Sequence, residues 1–199
     1  MFSRLGTPTD DDASLIARSV IEPEVFGILY ERHAAAIHRY VARRLGGALA
    51  DDVVADTFLI AFRSRARYDQ ARRAAEPWLY GIASNVVAKH HRSEVRLYRA
   101  YLRTGTDPVA EPYSDRVEAR VLAAEFRRPL AKALARLSAR DRDVLLLIAW
   151  ADLSYEQVSQ ALDIPVGTVR SRLHRARRRV RSALDGINPT TPDEESTNG

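Results

Sequence analysis

Residues Ser154 to Leu184, SYEQVSQALDIPVGTVRSRLHRARRRVRSAL, constrain the chain most, because they read as two short helices with a break between them. Ser154 can cap the first helix, and Gln157 sits three residues on, where a reciprocal capping partner belongs. Val158 and Leu162 give that helix an apolar face. Asp163, Ile164 and Pro165 interrupt it, since a proline pushes the preceding residue out of helical geometry. A second amphipathic helix follows, with Val169, Leu173, Ala176 and Val180 on one face. Its opposite face carries Arg170, Ser171, His174, Arg175 and Arg178, and no carboxylate occurs between Val166 and Leu184. A cationic helix supported by a shorter one across a tight turn is a helix-turn-helix, suited to a DNA major groove. A solvated surface helix would usually mix glutamate with its arginine.

Composition agrees with a polyanionic partner. The 199 residues carry a net charge of +5 and a pI near 9.8. Lys89 and Lys132 are the only lysines, so the positive charge is nearly all arginine. Arginine suits phosphate and guanine recognition, although genomic base composition also produces such a bias. With 46% hydrophobic and 29% charged residues, ordered globular structure is expected, as one domain or two small ones. Cysteine is absent, which removes disulfides and thiolate metal sites. The longest apolar runs, such as Val144 to Trp150, are too short to span a bilayer. The start, MFSRLGTPTDDDAS, lacks the apolar core of a signal peptide, so a cytoplasmic location is expected.

Helical periodicity recurs along the rest of the chain, and no period-two strand pattern is visible. Phe26, Leu29, Tyr30, His33, Ile37, Tyr40 and Val41 mark one helix between Glu24 and Leu45, stopped by Gly46-Gly47. Asp51 and Asp52 are expected to open the next, with Val54, Phe58, Ala61 and Phe62 continuing it. After the polar loop YDQARRAA, Pro77 suits a first helical turn, and Trp78, Leu79, Ile82 and Val86 mark a third long helix. From about Arg99 to Ser114 the pattern fades into glycine, two prolines and turn formers. Periodicity then returns with Val117, Val121, Leu122, Phe126, Leu130, Leu134 and Leu137, and again from Val144 to Trp150. The expectation is an all-α fold of two small helical domains joined by a flexible linker, the C-terminal one holding the helix-turn-helix. Its divisions are a disordered tail (1–11), a first domain (12–98), a linker (99–115), a second domain (116–184) and a disordered acidic tail (185–199).

Laid out in this way, the chain resembles an extracytoplasmic-function (ECF) sigma factor of the sigma-70 family of bacterial RNA polymerase. FGILYERHAAAIHRYVARRLG followed by DDVVADTFLIAF resembles the polymerase-binding part of sigma region two. EPWLYGIASNVVAKHHR resembles the part that reads and opens the minus-ten element, and the segment from Leu137 to Val180 resembles region four, which reads the minus-thirty-five element. The resemblance implies a detachable specificity subunit that binds core polymerase, through its largest-subunit coiled coil and its flap, and directs promoter recognition, melting and initiation. It also implies an anti-sigma partner. Carried over by position, Arg170, Ser171, His174, Arg175 and Arg178 face the minus-thirty-five element. Trp78, Asn85, Lys89, Arg92, Arg72 and Arg73 face the minus-ten element, with His90 and His91 extending that cationic surface. Asp52, Asp56 and Leu59 bind polymerase, though Ala55 stands where the family often has glutamine.

The bland alternatives are a core role for Trp78, packed on Phe58 or Phe62, and simple solvation for Asp52 and Asp56. An enzyme is not expected: the five histidines form no helical metal pair with a third ligand, and no nucleophile elbow or phosphate-binding loop occurs. No cofactor and no metal site are expected. The rival function is an autonomous helix-turn-helix transcriptional regulator with a helical sensor or dimerisation domain. It accounts for the C-terminal half, yet gives no reason for WLYGIASNVVAKHHR.

Overall fold

The computed structural model describes residues 10–104 and 129–184. The described residues are all-α, with no strand among them. Helix α1 (Asp12–Ser19) is capped by Asp11, whose carboxylate accepts from the Ser14 N–H at 2.8 Å. A 3-10 turn at Pro23–Val25 leads into α2 (Phe26–Leu45). Gly46, at φ +85°, ends α2 and joins it directly to α3 (Gly47–Ser64). This places the start of α3 earlier than the sequence suggested. The glycine pair supplies both the stop and the start, so Asp51 and Asp52 fall in the second turn, beyond the strongest pull of the helix dipole.

Helix α4 (Glu76–Lys89) carries Pro77 in its first turn, and α5 (His91–Thr104) follows after His90. Residues 99–104, expected in the linker, continue α5, which is anchored by the buried Glu94 and Tyr98 one turn apart. The remainder of the expected linker (105–115), residues 116–128 and the tails at 1–9 and 185–199 lie outside the described residues. Helix α6 is described over 129–136. Then come α7 (Ala139–Trp150), capped by Ser138, α8 (Tyr155–Leu162) and α9 (Val166–Leu184).

Leu29, Ile37, Val41, Val53, Phe58, Leu79 and Val86 fill the centre of the N-terminal half. Leu134, Leu137, Val144, Leu147, Val158, Val169 and Leu173 fill that of the C-terminal half. The two centres form one continuous apolar cluster, because α4 packs against α8 and touches α7. At the crossing, Gly81 of α4 lies under the backbone of Ala161 in α8, where a Cβ would overlap the Ala161 carbonyl oxygen.

A buried charge cluster closes the same junction. Glu94 of α5 accepts from Arg44 Nε of α2 at 2.7 Å and from an Arg142 guanidinium nitrogen of α7 at 2.8 Å. Arg44 also donates to Asp143 of α7 at 2.7 Å and to the Tyr40 hydroxyl at 2.7 Å. Arg142 also donates to His91 Nδ1 at 2.8 Å and to the carbonyl oxygens of Leu134 and Leu137. Exposure of Arg44, Glu94 and Arg142 is 1%, 1% and 0%. Burial opposes the Arg44 charge, but Tyr40, Glu94 and Asp143 together hold the guanidinium firmly protonated. Burial pushes the Asp143 carboxyl above its usual range, against the pull of Arg44.

Candidate DNA-reading and polymerase-docking surfaces

The helix-turn-helix forms by the local chemistry its sequence carries. Ser154 Oγ accepts from the Gln157 N–H at 3.2 Å, and Gln157 Oε1 accepts from the Ser154 N–H at 2.8 Å, so both halves of the capping box are present. Asp163 ends α8 in the left-handed region at φ 50°, a conformation that a short polar side chain tolerates. The Ile164 N–H returns to the Ser159 carbonyl at 3.1 Å, and Pro165 leads directly into α9. Val169, Leu173 and Ala176 are buried against the support helices, with Val180 packed at the edge.

Opposite that face, Arg170, Ser171, His174, Arg175 and Arg178 are all exposed. They differ in what already occupies them. The Ser171 hydroxyl donates back to the Thr168 carbonyl at 3.0 Å, leaving its oxygen lone pairs outward. Arg175 donates to Asp141 Oδ1 of α7 at 3.1 Å, and Arg179 approaches the other oxygen at 3.8 Å. Asp141 is 4% exposed, so a buried carboxylate is compensated by two cations one helical turn apart. Arg170 has no polar partner among the described residues and is the freer guanidinium. Arg178 turns toward α6, lining a groove of about 490 Å³ with Lys132, Arg136 and Arg179.

In the N-terminal half, Trp78 is partly buried and packs against Tyr68, with ring centroids 4.9 Å apart and the planes tilted by 58°. Its partner is thus neither Phe58, which meets Tyr30, nor Phe62, which meets Phe26. The Tyr68 hydroxyl donates to the carbonyl oxygens of Arg72 at 2.6 Å and Ala74 at 3.0 Å, fixing the loop before α4. Burial and the nearby Asp12 carboxylate push that phenol up to about 12, so it stays a donor. From the other side, Asp12 accepts from the Ala75 N–H at 3.0 Å and from His33 Nε2 at 2.8 Å. Burial raises the Asp12 carboxyl, but these contacts and Arg32 outweigh it and hold it below its ordinary value.

That loop presents Arg72, tied to Asp69 at 3.2 Å, and Arg73, both exposed. Asn85 and Lys89 are exposed on α4, and Arg92 is exposed on α5. Trp78, Asn85 and Lys89 lie seven and eleven residues along α4 and therefore share one face. His91 departs from the expected cationic surface: its Nδ1 accepts from Arg142, facing the junction of the halves.

Asp52, Ala55, Asp56 and Leu59 form an exposed stripe on α3, with Leu59 45% exposed. Tyr30 of α2, 48% exposed, meets Phe58, the neighbour of Leu59 in α3, with ring centroids 4.9 Å apart; the sequence marked it only as an apolar helix position. Its signal was weak because a tyrosine in an apolar stripe looks like core. Among the described residues, no group of three or more His, Asp or Glu residues forms a metal site. No described helix is long and apolar enough to cross a membrane.

The family descriptions Sigma-70 region 2 and Sigma-70, region 4 match residues 29–97 and 127–180. The ECF RNA polymerase sigma factor SigL of Mycobacterium tuberculosis is 34% identical over 179 residues, which cover 89% of this chain and 99% of that protein. The RNA polymerase sigma factor CarQ of Myxococcus xanthus is 32% identical over 164 residues, 81% of this chain and 90% of that protein. The solved structure of CnrH in complex with the cytosolic domain of CnrY superposes at TM-score 0.61 with 26% identity, covering 89% of this chain and 99% of that one. RpoE of Bartonella quintana, solved with the anti-sigma factor NepR, gives TM-score 0.57 at 23% identity, over 83% and 99% of the two chains, and shares the fold. A match that includes region 2 does not favour an autonomous regulator. The chain belongs to the sigma-70 family, as an RNA polymerase sigma factor of the ECF type.

Proposed function

We propose that this sigma factor divides promoter recognition between α9 and the face of α4 that carries Trp78, Asn85 and Lys89. Arg170 leads on the upstream minus-thirty-five element, with Ser171, His174, Arg175 and Arg178 beside it. The observation that carries this reading is the exposed cationic face of α9, which has no carboxylate of its own and is backed by the buried Val169, Leu173 and Ala176. A guanidinium of that kind can donate bidentately to guanine, worth about 1–3 kcal/mol of discrimination. On the minus-ten side, Asn85 offers an amide to a base edge. Trp78 contributes its exposed flank as a stacking platform while its other face rests on Tyr68, and Arg72, Arg73, Lys89 and Arg92 track phosphates.

Core polymerase docks on the α3 stripe of Asp52, Asp56 and Leu59, joined by Tyr30. The chain works in the cytoplasm by binding alone, with no catalytic step of its own. CnrH is solved in complex with the cytosolic domain of CnrY, and RpoE with the anti-sigma factor NepR; we extend to this chain a protein partner of the anti-sigma kind.

In vitro transcription with core polymerase on a random promoter library tests the reading, with permanganate reactivity of thymines reporting strand opening. Opening is expected only with chain and core together, on promoters carrying both elements. A tight, palindromic footprint by the chain alone, with no opening added by core, would overturn it. The docking stripe is tested by Asp52→Arg with Asp56→Arg, expected to lower core affinity about tenfold while leaving the fold unchanged. Unchanged core affinity would leave both aspartates as solvated surface charges.

A further inference from the structure

Helix α4 carries the proposed minus-ten face, yet its own sequence does not cap it. Its N-cap residue is Ala75, whose methyl group cannot accept a hydrogen bond. In a capping box the third helical residue returns an acceptor to the N-cap N–H, but here that residue is Trp78, whose indole only donates. Helix α8 shows the contrast, since Ser154 and Gln157 supply both halves of its box locally. Ala75 is 0% exposed, so its N–H needs a protein partner.

That partner comes from 63 residues earlier in the chain, where Asp12 Oδ2 of α1 accepts from the Ala75 N–H at 3.0 Å. The same oxygen meets His33 Nε2 of α2 at 2.8 Å, and Oδ1 accepts from Arg32 at 3.2 Å. A bond also runs the other way. The Ala13 N–H, in the first turn of α1 and without an acceptor in its own helix, donates to the Arg73 carbonyl at 3.3 Å. The starts of α1 and α4 thus cap each other.

We propose that Asp12 is a positioning residue for strand opening: it caps α4 from outside and so holds the Arg72–Ala75 loop and Trp78 where the minus-ten strand meets them. The inference rests on the assignment of that face to the minus-ten element.

Three observations separate this role from simple attachment of α1. Leu15 and Ile16, both 0% exposed, already anchor that helix, so holding it does not require a carboxylate at position 12. Second, the atoms held are consecutive. The Tyr68 hydroxyl serves the Arg72 and Ala74 carbonyls, Ala13 serves that of Arg73, and Asp12 serves the Ala75 N–H. The backbone of the loop is fixed, while the Arg72 and Arg73 side chains stay exposed. Third, Trp78 lies in the turn that this cap secures and packs against Tyr68, so loop and aromatic platform share one support. A loop ordered before it meets the strand loses less freedom on binding.

Asp12→Ala and Asp11→Ala make the decisive pair, because Asp11 caps α1 itself through the Ser14 N–H at 2.8 Å. Amide hydrogen exchange at Ala75 in the free full-length chain should rise about tenfold in Asp12→Ala and stay unchanged in Asp11→Ala, with helix content by circular dichroism unchanged in both. With core polymerase, Asp12→Ala should lower permanganate reactivity at the minus-ten element about tenfold. Core affinity should not change, nor should binding of that complex to a fragment carrying only the minus-thirty-five element. Asp12→Asn keeps an acceptor oxygen for Ala75 and should restore exchange and opening to within about threefold.

Unchanged exchange at Ala75 in Asp12→Ala would overturn the cap, as would an asparagine no better than alanine. An equal loss of opening in Asp11→Ala would reduce Asp12 to a part in folding α1. Faster exchange with undiminished opening would keep the cap and overturn its role in opening. If the unsubstituted chain with core opened no promoter, the minus-ten assignment itself would fall, and exchange at Ala75 would still decide the cap.

Discussion

Arg170 of α9 and Arg142 of α7 lie in the same half of the molecule, yet their surroundings are opposite. Arg170 is exposed and has no carboxylate near it on its own helix. Arg142 is 0% exposed and is committed to Glu94, His91 and two carbonyl oxygens. Arg175 stands between them, its side chain 48% exposed but its guanidinium tethered to the buried Asp141. A guanidinium that has given its donors to protein carboxylates holds elements together. One that keeps its donors can spend them on a nucleic acid. Residue type alone does not separate these uses; the acidic partners brought by tertiary packing do.

The largest expected effect tests the buried end of this comparison. Glu94→Leu takes from the buried Arg142 its carboxylate partner and from Arg44 one of two, and should cost about 3–5 kcal/mol in urea denaturation. Replacing the whole group, with Arg44→Met, Arg142→Met and Asp143→Leu added, should recover most of that loss, because an apolar cluster of similar volume has no charge to compensate. If the combined variant is no more stable than Glu94→Leu, the cations are not the source of the cost.

At the exposed end, Arg170→Ala should remove about 1–3 kcal/mol of base discrimination at the upstream element, read from transcription on intact and scrambled elements. Equal loss on both templates would make Arg170 a phosphate contact. Arg175→Ala should lose less discrimination than Arg170→Ala, since part of its guanidinium serves Asp141. A larger loss would place it ahead of Arg170 as the base reader. The smallest effect belongs to Arg177→Ala, exposed on α9 and outside the proposed base-reading set. It should weaken binding similarly on every sequence and reduce the salt slope by about one.

The local features were legible and the junction was not. The capping box at Ser154 and the Val169, Leu173, Ala176 repeat are written within a few residues, so reading the helix-turn-helix needed only helical spacing. Pro77 and the glycine pair likewise marked real helix ends. Helix α1 escaped notice because its eight residues are too few to display a period. The packing of Trp78 against Tyr68 was missed because a loop reversal brings them together. The pairing of Arg44 with Asp143, 99 residues apart, has no local trace: each looks like an ordinary surface charge until the halves meet.

The Asp12 carboxylate, reaching across to the Ala75 N–H, sets a limit on how far family boundaries describe the working part. It lies in α1, before the matched stretch that begins at residue 29. A chain trimmed to that stretch would retain every residue by which region 2 is identified. It would still lose the strut that braces the arginine loop against the first helix. The unit that similarity outlines is thus smaller than the unit that bears mechanical load.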